Sequence, residues 1–359
     1  MTTPPSNREA AMSNSSSGVS IRDIAKAVGL SKSTVGYALR NHPGVNRETK
    51  ARVQRAAHEL GYAPDARVSS VLAAVRGART KSPLPIAWLN TTRSESSWRK
   101  FKYLSPYFEG AQARAAELGY YVEEFWAGEP RMSMRRISQI LDRRGIEGVA
   151  VTYPARHVRL NWERLACVSI EGALLAPRLH RVVSDMHHNL LLALKMLKRG
   201  GYRRIGICLE KVVDPTTSIQ AAAAYFQMAV PKIDRIPPLF YASDSPDDWA
   251  AAKKRIFAWL SRHRPEVVVG HTSRMAACVG EAGYRVPDEM GVVHLATDDD
   301  VADWAGIDSR KRDMGAAAVD LLTSLVQLRQ FGLPRAPMDT LIRGAWHPGR
   351  TLLLPNPRR

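Results

Sequence analysis

Apolar residues near the N-terminus recur with the spacing of two short amphipathic helices. In the first helix they fall at i, i+3, i+4 and i+7, and they are Ile21, Ile24, Ala25 and Val28. Gly29 follows where a left-handed cap ends a helix. Ser31 can cap a second helix, whose inward positions are Val35, Ala38 and Leu39. The pattern predicts two helices joined by a tight turn.

Two further stretches repeat the helical spacing. Asn46 can cap a third helix whose apolar face is formed by Val53, Ala56, Ala57 and Leu60, with Gly61 and Tyr62 at its end. After Pro64 a short amphipathic segment contains Val68, Val71, Leu72 and Val75, with Arg67, Arg76, Arg79 and Lys81 around them. The first three helices can close a small core, whereas the last segment needs a partner helix or a groove in DNA to bury its apolar stripe.

From Pro83 onward, short apolar runs alternate with helical stretches, which predicts βαβ units and a parallel sheet. The candidate strands are 86–89, 121–125, 148–151, 167–170, 204–209, 267–269 and 292–296. Three Gly-Tyr pairs, at 119–120, 201–202 and 283–284, each follow a helical run and precede a strand. They are typical of a glycine cap with an apolar residue packed behind it.

The second predicted helix has a polar outward side formed by Lys32, Ser33, Thr34 and Tyr37. This layout is that of a DNA recognition helix, and its alternative is an ordinary helical hairpin on a globular surface. The chain carries a formal net charge of +18 and its pI is about 10.1. Such a charge favours nucleic acid or an anionic surface as partner, although it also serves solubility.

Residues 19–79 resemble the lactose-repressor (LacI) family of bacterial transcription regulators. The resemblance rests on the Ile-x-Asp-Ile-Ala-x-x-x-Gly-Leu-Ser run from Ile21, on Ser33-Thr34-Val35, on Val45-Asn46 with Thr49 and Val53, and on Leu60-Gly61-Tyr62-x-Pro64. It implies a small all-α helix-turn-helix domain followed by an α/β two-lobed periplasmic-binding-protein-like core with two doubly wound parallel sheets.

The resemblance continues more loosely through the core, in Phe108-Glu109-Gly110, Val183-x-Asp185, Gly201-Tyr202-Arg203-Arg204-Ile205 and Met314-Gly315. It implies three crossovers between the lobes, near Ser184, near Gly306 and around 334–337. The expected domains are a disordered segment 1–18, a helix-turn-helix domain 19–65, a hinge helix and linker 66–82, and a core 83–353 with a tail 354–359. The expected lobes are 83–184 with 306–334, and 185–305 with 335–353.

The resemblance also implies which residues contact DNA: Ser20, Ile21, Ser31, Lys32, Ser33, Thr34, Tyr37, Arg40, Asn46, Thr49, Tyr62, Val71 and Leu72. Lys32 and Ser33 occupy the family's two main base-contacting positions, and Tyr37 stands where an arginine is common. Lys32 could instead contact phosphate. Val71, with Leu72 adjacent, matches the leucine that the family inserts into the minor groove, where apolar wedges kink DNA.

Ligand-binding candidates follow strands of the predicted sheets and are Asn90, Thr91, Thr152, Glu171, His271 and Asp298. Each could simply cap a turn or a helix. Asp298 matches the family's effector-binding aspartate, and no ring of oxygen ligands around 298–300 supports a metal site. The family's effector-binding arginine has no counterpart in 218–225, and His271 stands where asparagine is common. These departures argue against a usual sugar effector and leave open a less anionic or less polar ligand or a loss of ligand control.

The expected function is that of a repressor that binds a near-palindromic operator as a homodimer, with a sugar-like small molecule as effector, no cofactor and no membrane partner. The polar first 18 residues lack a secretory signal, which favours a cytoplasmic protein, and three separated cysteines favour buried thiols. The alternative is a cytoplasmic solute-binding sensor whose DNA binding or ligand control is degenerate. An enzyme is not expected, because phosphate-loop, nucleophile-elbow, dinucleotide and metal-ligand motifs are missing from the sequence.

Overall fold

The computed structural model describes residues 19–39, 44–62, 83–91, 104–130, 132–152, 157–171, 174, 176–210, 231–242, 246–297 and 301–353. The chain divides into two compact units, Met1–Lys81 and Ser82–Arg359.

The helices and strands are numbered in chain order. The helices are α1 Ile21–Val28, α2 Lys32–Leu39, α3 Arg47–Glu59, α4 Ser105–Glu117, α5 Met134–Arg143, α6 Met186–Arg199, α7 Pro246–His263, α8 Met275–Glu281 and α9 Lys311–Gln327. The strands are β1 Leu84–Asn90, β2 Tyr120–Trp126, β3 Gly148–Val151, β4 Ala166–Ile170, β5 His180–Ser184, β6 Ile205–Glu210, β7 Leu239–Tyr241, β8 Val267–Gly270, β9 Gly291–His294, β10 Gly306–Asp308, β11 Asp339–Ile342 and β12 Ala345–His347.

The first unit contains α1 to α3 around a small apolar core. The fully or almost fully buried residues of this core are Ile24, Ala25, Val35, Ala38, Val53 and Ala57. Gly29 has a φ of 63°, so the predicted left-handed cap between α1 and α2 is confirmed. Leu60 is 39% exposed rather than buried, because α3 ends at Glu59 and Leu60 is its C-cap.

The second unit contains two sheets, which define two lobes. The first sheet has the order β11-β5-β4-β3-β1-β2, and all its strand pairs are parallel. Helices α4 and α9 cover one face, and α5 packs on the other. The second sheet has the order β12-β10-β9-β8-β6-β7, with β12 antiparallel to β10. Helix α6 lies on one face, and α7 and α8 lie on the other.

Two of the expected lobe boundaries differ from the structure. Strand β10 (306–308) pairs with β9 and β12, so it belongs to the second lobe, and the chain returns to the first lobe just before α9. Strand β11 (339–342) pairs with β5, so residues up to Ile342 belong to the first lobe. The last crossover therefore falls at 343–344, not at 334–337. The first crossover, between Ser184 and α6, lies where the sequence predicted it.

The seven predicted strands are present, with bounds that differ by a few residues at most. Gly119, Gly201 and Gly283 have φ values of 76°, 84° and 94°, as expected of glycine caps. Cys167, Cys208 and Cys278 are free and buried, and burial raises the pKa of each thiol, that of Cys278 to about 11. The predicted hinge helix around Val71 and Leu72 lies outside the described residues.

Candidate nucleic-acid interface and ligand cleft

Capping hydrogen bonds fix the residues at which the helices of the first unit begin. The Ser20 hydroxyl donates to Asp23 Oδ2 at 2.6 Å, and the backbone N–H of Ser20 donates to the same oxygen at 2.9 Å. These bonds lower the pKa of Asp23. At the start of α2, Ser31 Oγ accepts from the Thr34 N–H at 3.1 Å and bonds to the Thr34 hydroxyl at 2.8 Å. Asn46 Oδ1 accepts from the Thr49 N–H at 2.7 Å. The caps position the turn and the second helix.

Helix α2 presents two distinct faces. Val35, Gly36 and Ala38 are buried against α1 and α3, whereas Lys32, Ser33 and Tyr37 are exposed on the other side. Tyr37 is 44% exposed although its side chain is aromatic. The outward face therefore offers an ammonium group, a hydroxyl and a phenol, which can all bond to base edges or phosphates.

The structure thus divides the predicted DNA-contacting residues into two groups. Ser20, Ser31, Asn46 and Thr49 take part in caps, and Ile21 and Tyr62 are partly buried against the core of the unit. Lys32, Ser33 and Tyr37 form the exposed face, with Thr34 half-buried beside them. Arg40, Val71 and Leu72 lie outside the described residues.

The carboxyl edges of the two sheets face each other across the crossovers. Strands β5, β10 and β11 all end where the chain passes between the lobes, and β12 begins beside the end of β10. In parallel α/β sheets the space beyond these edges is where ligands bind. The predicted ligand residues follow strands at the same edges, apart from Asp298, which lies outside the described residues.

Three of these candidates in the first lobe bond to neighbouring strands. Asn90 is buried, and its amide donates to Glu124 Oε1 at 2.8 Å. The Thr91 hydroxyl donates to the Thr152 carbonyl at 3.2 Å, and the Thr152 hydroxyl donates to the Leu89 carbonyl at 3.1 Å. The two threonines therefore tie the ends of β1 and β3 together, which supports a structural role for them.

Glu171 belongs to a polar chain at the cleft that the sequence did not predict. Its backbone adopts a φ of 62°, in the left-handed region that non-glycine residues seldom occupy. The Tyr107 hydroxyl donates to Glu171 Oε1 at 2.8 Å. The ammonium of Lys311 lies 5.7 Å from the centroid of the Tyr107 ring, although Lys311 is only 7% exposed. Glu171, Tyr107 and Lys311 together place a carboxylate, a phenol and a buried cation at the second crossover.

On the other lobe, His271 stacks on His294. Their ring centroids lie 5.6 Å apart with an angle of 15° between the planes, and Trp304 packs edge-on against His294. Burial first, and the charges of His271 and Lys311 after it, lower the pKa of His294 to about 3. Its Nδ1 accepts from the Ala296 N–H at 3.1 Å, so the proton of the neutral ring is on Nε2. Lys311 begins α9 three residues after β10, the strand whose Gly306 pairs with His294 of β9.

Sequence reasoning missed Tyr107, Lys311 and His294. Lys311 begins a helix and would ordinarily be solvated, and His294 lies within an apolar strand. Only the packing of α9 against α4 and the pairing of β9 with β8 bring these residues to the cleft.

The described residues contain no group of three or more His, Cys, Asp or Glu side chains able to hold a metal ion. Among the same residues, no helix is long and apolar enough to cross a membrane.

Comparison with known proteins agrees with both units. Residues 20–65 match the model "Bacterial regulatory proteins, lacI family", and residues 194–351 match the model "Periplasmic binding protein-like domain". The HTH-type transcriptional regulator MalR of Streptococcus pneumoniae serotype 4 (strain ATCC BAA-334 / TIGR4) is 22% identical over 289 residues, which cover 78% of this chain and 83% of MalR.

Two solved structures share the fold. The transcriptional regulator CelR in complex with cellobiose has a TM-score of 0.57 at 16% identity, covering 93% of this chain and 99% of CelR. The lac repressor dimer bound to operator and the anti-inducer ONPF has a TM-score of 0.52 at 16% identity, with the same coverage of 93% and 99%.

The helix-turn-helix unit, the exposed face of α2 and the two-lobed core define a DNA-binding regulator of transcription with a periplasmic-binding-protein-like domain. The chain belongs to the lacI family of bacterial regulatory proteins.

Proposed function

We propose that the protein is a cytoplasmic repressor that binds a near-palindromic operator as a homodimer and is controlled by a small molecule in the cleft between its lobes. The observation that carries the proposal is the exposed face of α2, where Lys32, Ser33 and Tyr37 project from a helix fixed by caps. Two such helices related by two-fold symmetry would contact half-sites about one helical turn apart.

Lys32 and Ser33 are the residues that we expect to select bases, and Tyr37 can add a hydroxyl or an apolar contact to a thymine methyl group. Ser20, Ile21, Ser31, Thr34, Arg40, Asn46, Thr49 and Tyr62 would position the unit on the phosphates. Val71 and Leu72 would enter the minor groove at the centre of the operator and kink it.

Selection of bound duplexes from a random DNA pool tests this function, at one stated salt concentration because non-specific affinity depends steeply on salt. We expect a near-palindromic motif. The double variant Lys32→Glu, Tyr37→Ala serves as the control, since both changes lie on the exposed face and leave the core of the unit intact. A wild-type pool without any motif would refute sequence-specific binding.

The small-molecule part of the proposal rests on the polar chain at the cleft. Glu171, Lys311 and His271 provide an acceptor, a cation and an imidazole, a set that can bond to ring hydroxyls of a sugar-like ligand. The CelR structure is a complex with cellobiose and the lac repressor structure a complex with the anti-inducer ONPF, which supports small-molecule ligands in this fold. Asp298 would add a further acceptor.

A panel of mono- and disaccharides tests this control through the thermal midpoint of the core, because a ligand that binds only the folded state raises it. We expect at least one sugar to raise the midpoint and to change operator affinity. The same sugar should lose its effect on Glu171→Gln. If a sugar stabilises the core but the DNA selection yields no motif, the two results together favour the alternative, a solute-binding sensor.

A further inference from the structure

The amino edge of the second sheet carries an excess of positive charge that the proposed function does not use. Strands β8, β6 and β7 are neighbours in the sheet, and the segments 262–266, 195–204 and 231–236 come just before them in the chain. These three segments contain nine lysine and arginine residues and two carboxylates. We name them the distal basic surface, because this edge is the one turned away from the cleft.

Hydrogen bonds hold the three segments side by side. Glu266 Oε2 accepts from the backbone N–H groups of Arg203 at 2.7 Å and Arg204 at 3.0 Å. The guanidinium of Arg204 donates to the carbonyls of His263 and Arg264. Arg203 forms an ion pair with Asp234 at 3.2 Å. Both carboxylates of the surface are therefore already engaged in joining its parts.

The remaining cations are exposed. Six of them have no ion pair within the part of the chain that the structure describes, and they are Lys195, Lys198, Arg199, Lys232, Arg262 and Arg264. At the amino edge of the first sheet, Arg144, Arg164, Arg181 and Arg329 each pair with a carboxylate, whereas Arg143, Arg178 and Arg335 are exposed and have no ion pair among the described residues. Lysine and arginine in the last turn of α6 and α7 complement the helix dipoles. That effect explains Lys198, Arg199 and Arg262, but not Lys232, Arg264 or the shortage of carboxylates.

We propose that the distal basic surface binds the phosphate backbone of a second DNA duplex without sequence preference, so that one protein bound to DNA can hold a second segment. Phosphate contacts by lysine and arginine supply most of the affinity of non-specific DNA binding.

Two other partners fit less well. A second copy of the chain would bring like charges together in a symmetric contact. A protein partner usually needs large apolar or aromatic anchors, and none of the exposed large apolar side chains of the described chain falls in the three segments. A shallow groove on α6, lined by Leu191, Leu194, Lys195, Lys198 and Arg199, makes an acidic protein segment the competing ligand.

The test is a capture experiment with the full chain. Protein is bound to an immobilised duplex that carries the selected motif, and a labelled duplex of random sequence is added at about 50 mM salt, where phosphate contacts are strong. We expect the wild type to capture the second duplex. The variant Lys195→Gln, Lys198→Gln, Arg199→Gln, Arg262→Gln, Arg264→Gln should lose at least nine-tenths of the capture, about a tenfold effect, and keep its affinity for the first duplex.

The matched control removes five exposed cations from the first lobe: Arg135→Gln, Arg136→Gln, Arg143→Gln, Arg178→Gln, Arg335→Gln. It changes net charge equally and should capture like the wild type. Equal loss in the control, or no capture by the wild type, would overturn the proposal. The proposal would also be overturned if the wild type retained polyglutamate and not the second duplex, because that result would assign the surface to an acidic protein segment.

The outcome is independent of operator recognition. If the selected pool contains no motif, the chain is attached to the support through an N-terminal tag in a Lys32→Glu background. Capture of random duplex is then compared with and without the five distal substitutions, and a difference between them still supports the distal basic surface.

Discussion

The side chains at the start of α2 have two roles: some cap the helix, and others face outward. The hydroxyls of Ser31 and Thr34 are engaged with each other, whereas Lys32 and Ser33 extend from the first turn. The hydrophobic spacing of the sequence predicted this division, because the buried positions of a helix fix the exposed ones. Which exposed residue contacts a base rather than a phosphate depends on the DNA, and no pattern in the sequence contains that information.

Replacing Lys32 tests its part in base selection. We expect Lys32→Ala to relax the preference at one base pair of each half-site and to weaken binding to the preferred base by about 1–3 kcal/mol. Repeating the selection and measuring affinities for single-base variants of the motif will show this. Lys26→Ala, an exposed position on α1, should leave the motif unchanged. A loss that is uniform over all sequences would assign Lys32 to phosphate contact.

The burial of His294 makes core stability depend on pH. Its pKa in the folded state is about 3 against an ordinary 6.5, so the unfolded chain takes up the proton first as pH falls. The free energy of unfolding of the core should therefore decrease by about 2 kcal/mol between about pH 7 and about pH 5 through this residue. His294→Asn keeps an acceptor for the Ala296 N–H and should remove that decrease.

Chemical denaturation at both pH values measures the effect, with His187→Asn on the exposed side of α6 as the control. His180 and His263 also have lowered pKa values through burial, so some dependence should persist in every variant. A pH dependence in His294→Asn equal to that of the wild type would show that His294 does not cause it.

Helices α4 and α9 cross with their backbones in close contact. A Cβ atom on Gly110 would lie 2.0 Å from the Arg312 carbonyl oxygen, and one on Gly315 would lie 1.9 Å from the Tyr107 carbonyl oxygen. The glycines thus allow two backbones to touch, and the contact places Lys311 beside Tyr107. Because α4 and α9 are distant in sequence, neither glycine could be recognised as a contact point without the fold.

Gly315→Ala should lower the free energy of unfolding of the core by about 2–4 kcal/mol, because backbone cannot yield as a flexible side chain does. Gly280→Ala is the matched control, since a Cβ atom at this position, in the last turn of α8, would meet nothing within 4 Å. There we expect no loss, or a gain of about 0.5–1 kcal/mol from reduced chain entropy. Thermal unfolding of both variants decides, and equal midpoints would contradict the crossing argument.

The strands show which secondary-structure elements an apolar sequence pattern can predict and which it cannot. Continuous apolar runs such as 148–151 and 267–269 were predicted, since strands in the middle of a parallel sheet are buried on both faces. The sequence did not predict β5, β7, β10, β11 or β12, which have three to five residues each and lie at the sheet edges or next to them. In β11 three of the four residues are exposed, so no apolar run distinguishes it from a loop. Because β10 and β11 were not predicted, two of the crossovers were predicted at the wrong positions.

The whole core depends on how its crossovers are held together. Asn189 is fully buried in α6, and its Oδ1 accepts from the Gly344 N–H at 2.9 Å in the last crossover. Its amide nitrogen donates to the Ser184 hydroxyl at 3.0 Å in the first. One side chain therefore links two of the three connections about which the lobes would move on ligand binding.

Asn189→Ala should lower the free energy of unfolding of the core by about 1–3 kcal/mol, because it leaves the buried Gly344 N–H without an acceptor. Ser184→Ala removes only the weaker of the two links and should cost about 1 kcal/mol. Denaturant titration followed by tryptophan fluorescence measures both. A smaller effect for Asn189→Ala than for Ser184→Ala would show that the link to Gly344 contributes little.

The late crossovers also govern when the core can form during synthesis. The first sheet takes its edge strand from 339–342 and a covering helix from 311–327, and the second sheet is closed by 345–347. Neither lobe is complete before residues 339–342 and 345–347 have been synthesised, whereas α1 to α3 are complete by Glu59. On every translating ribosome, the DNA-binding unit can therefore fold while its effector core is still being made.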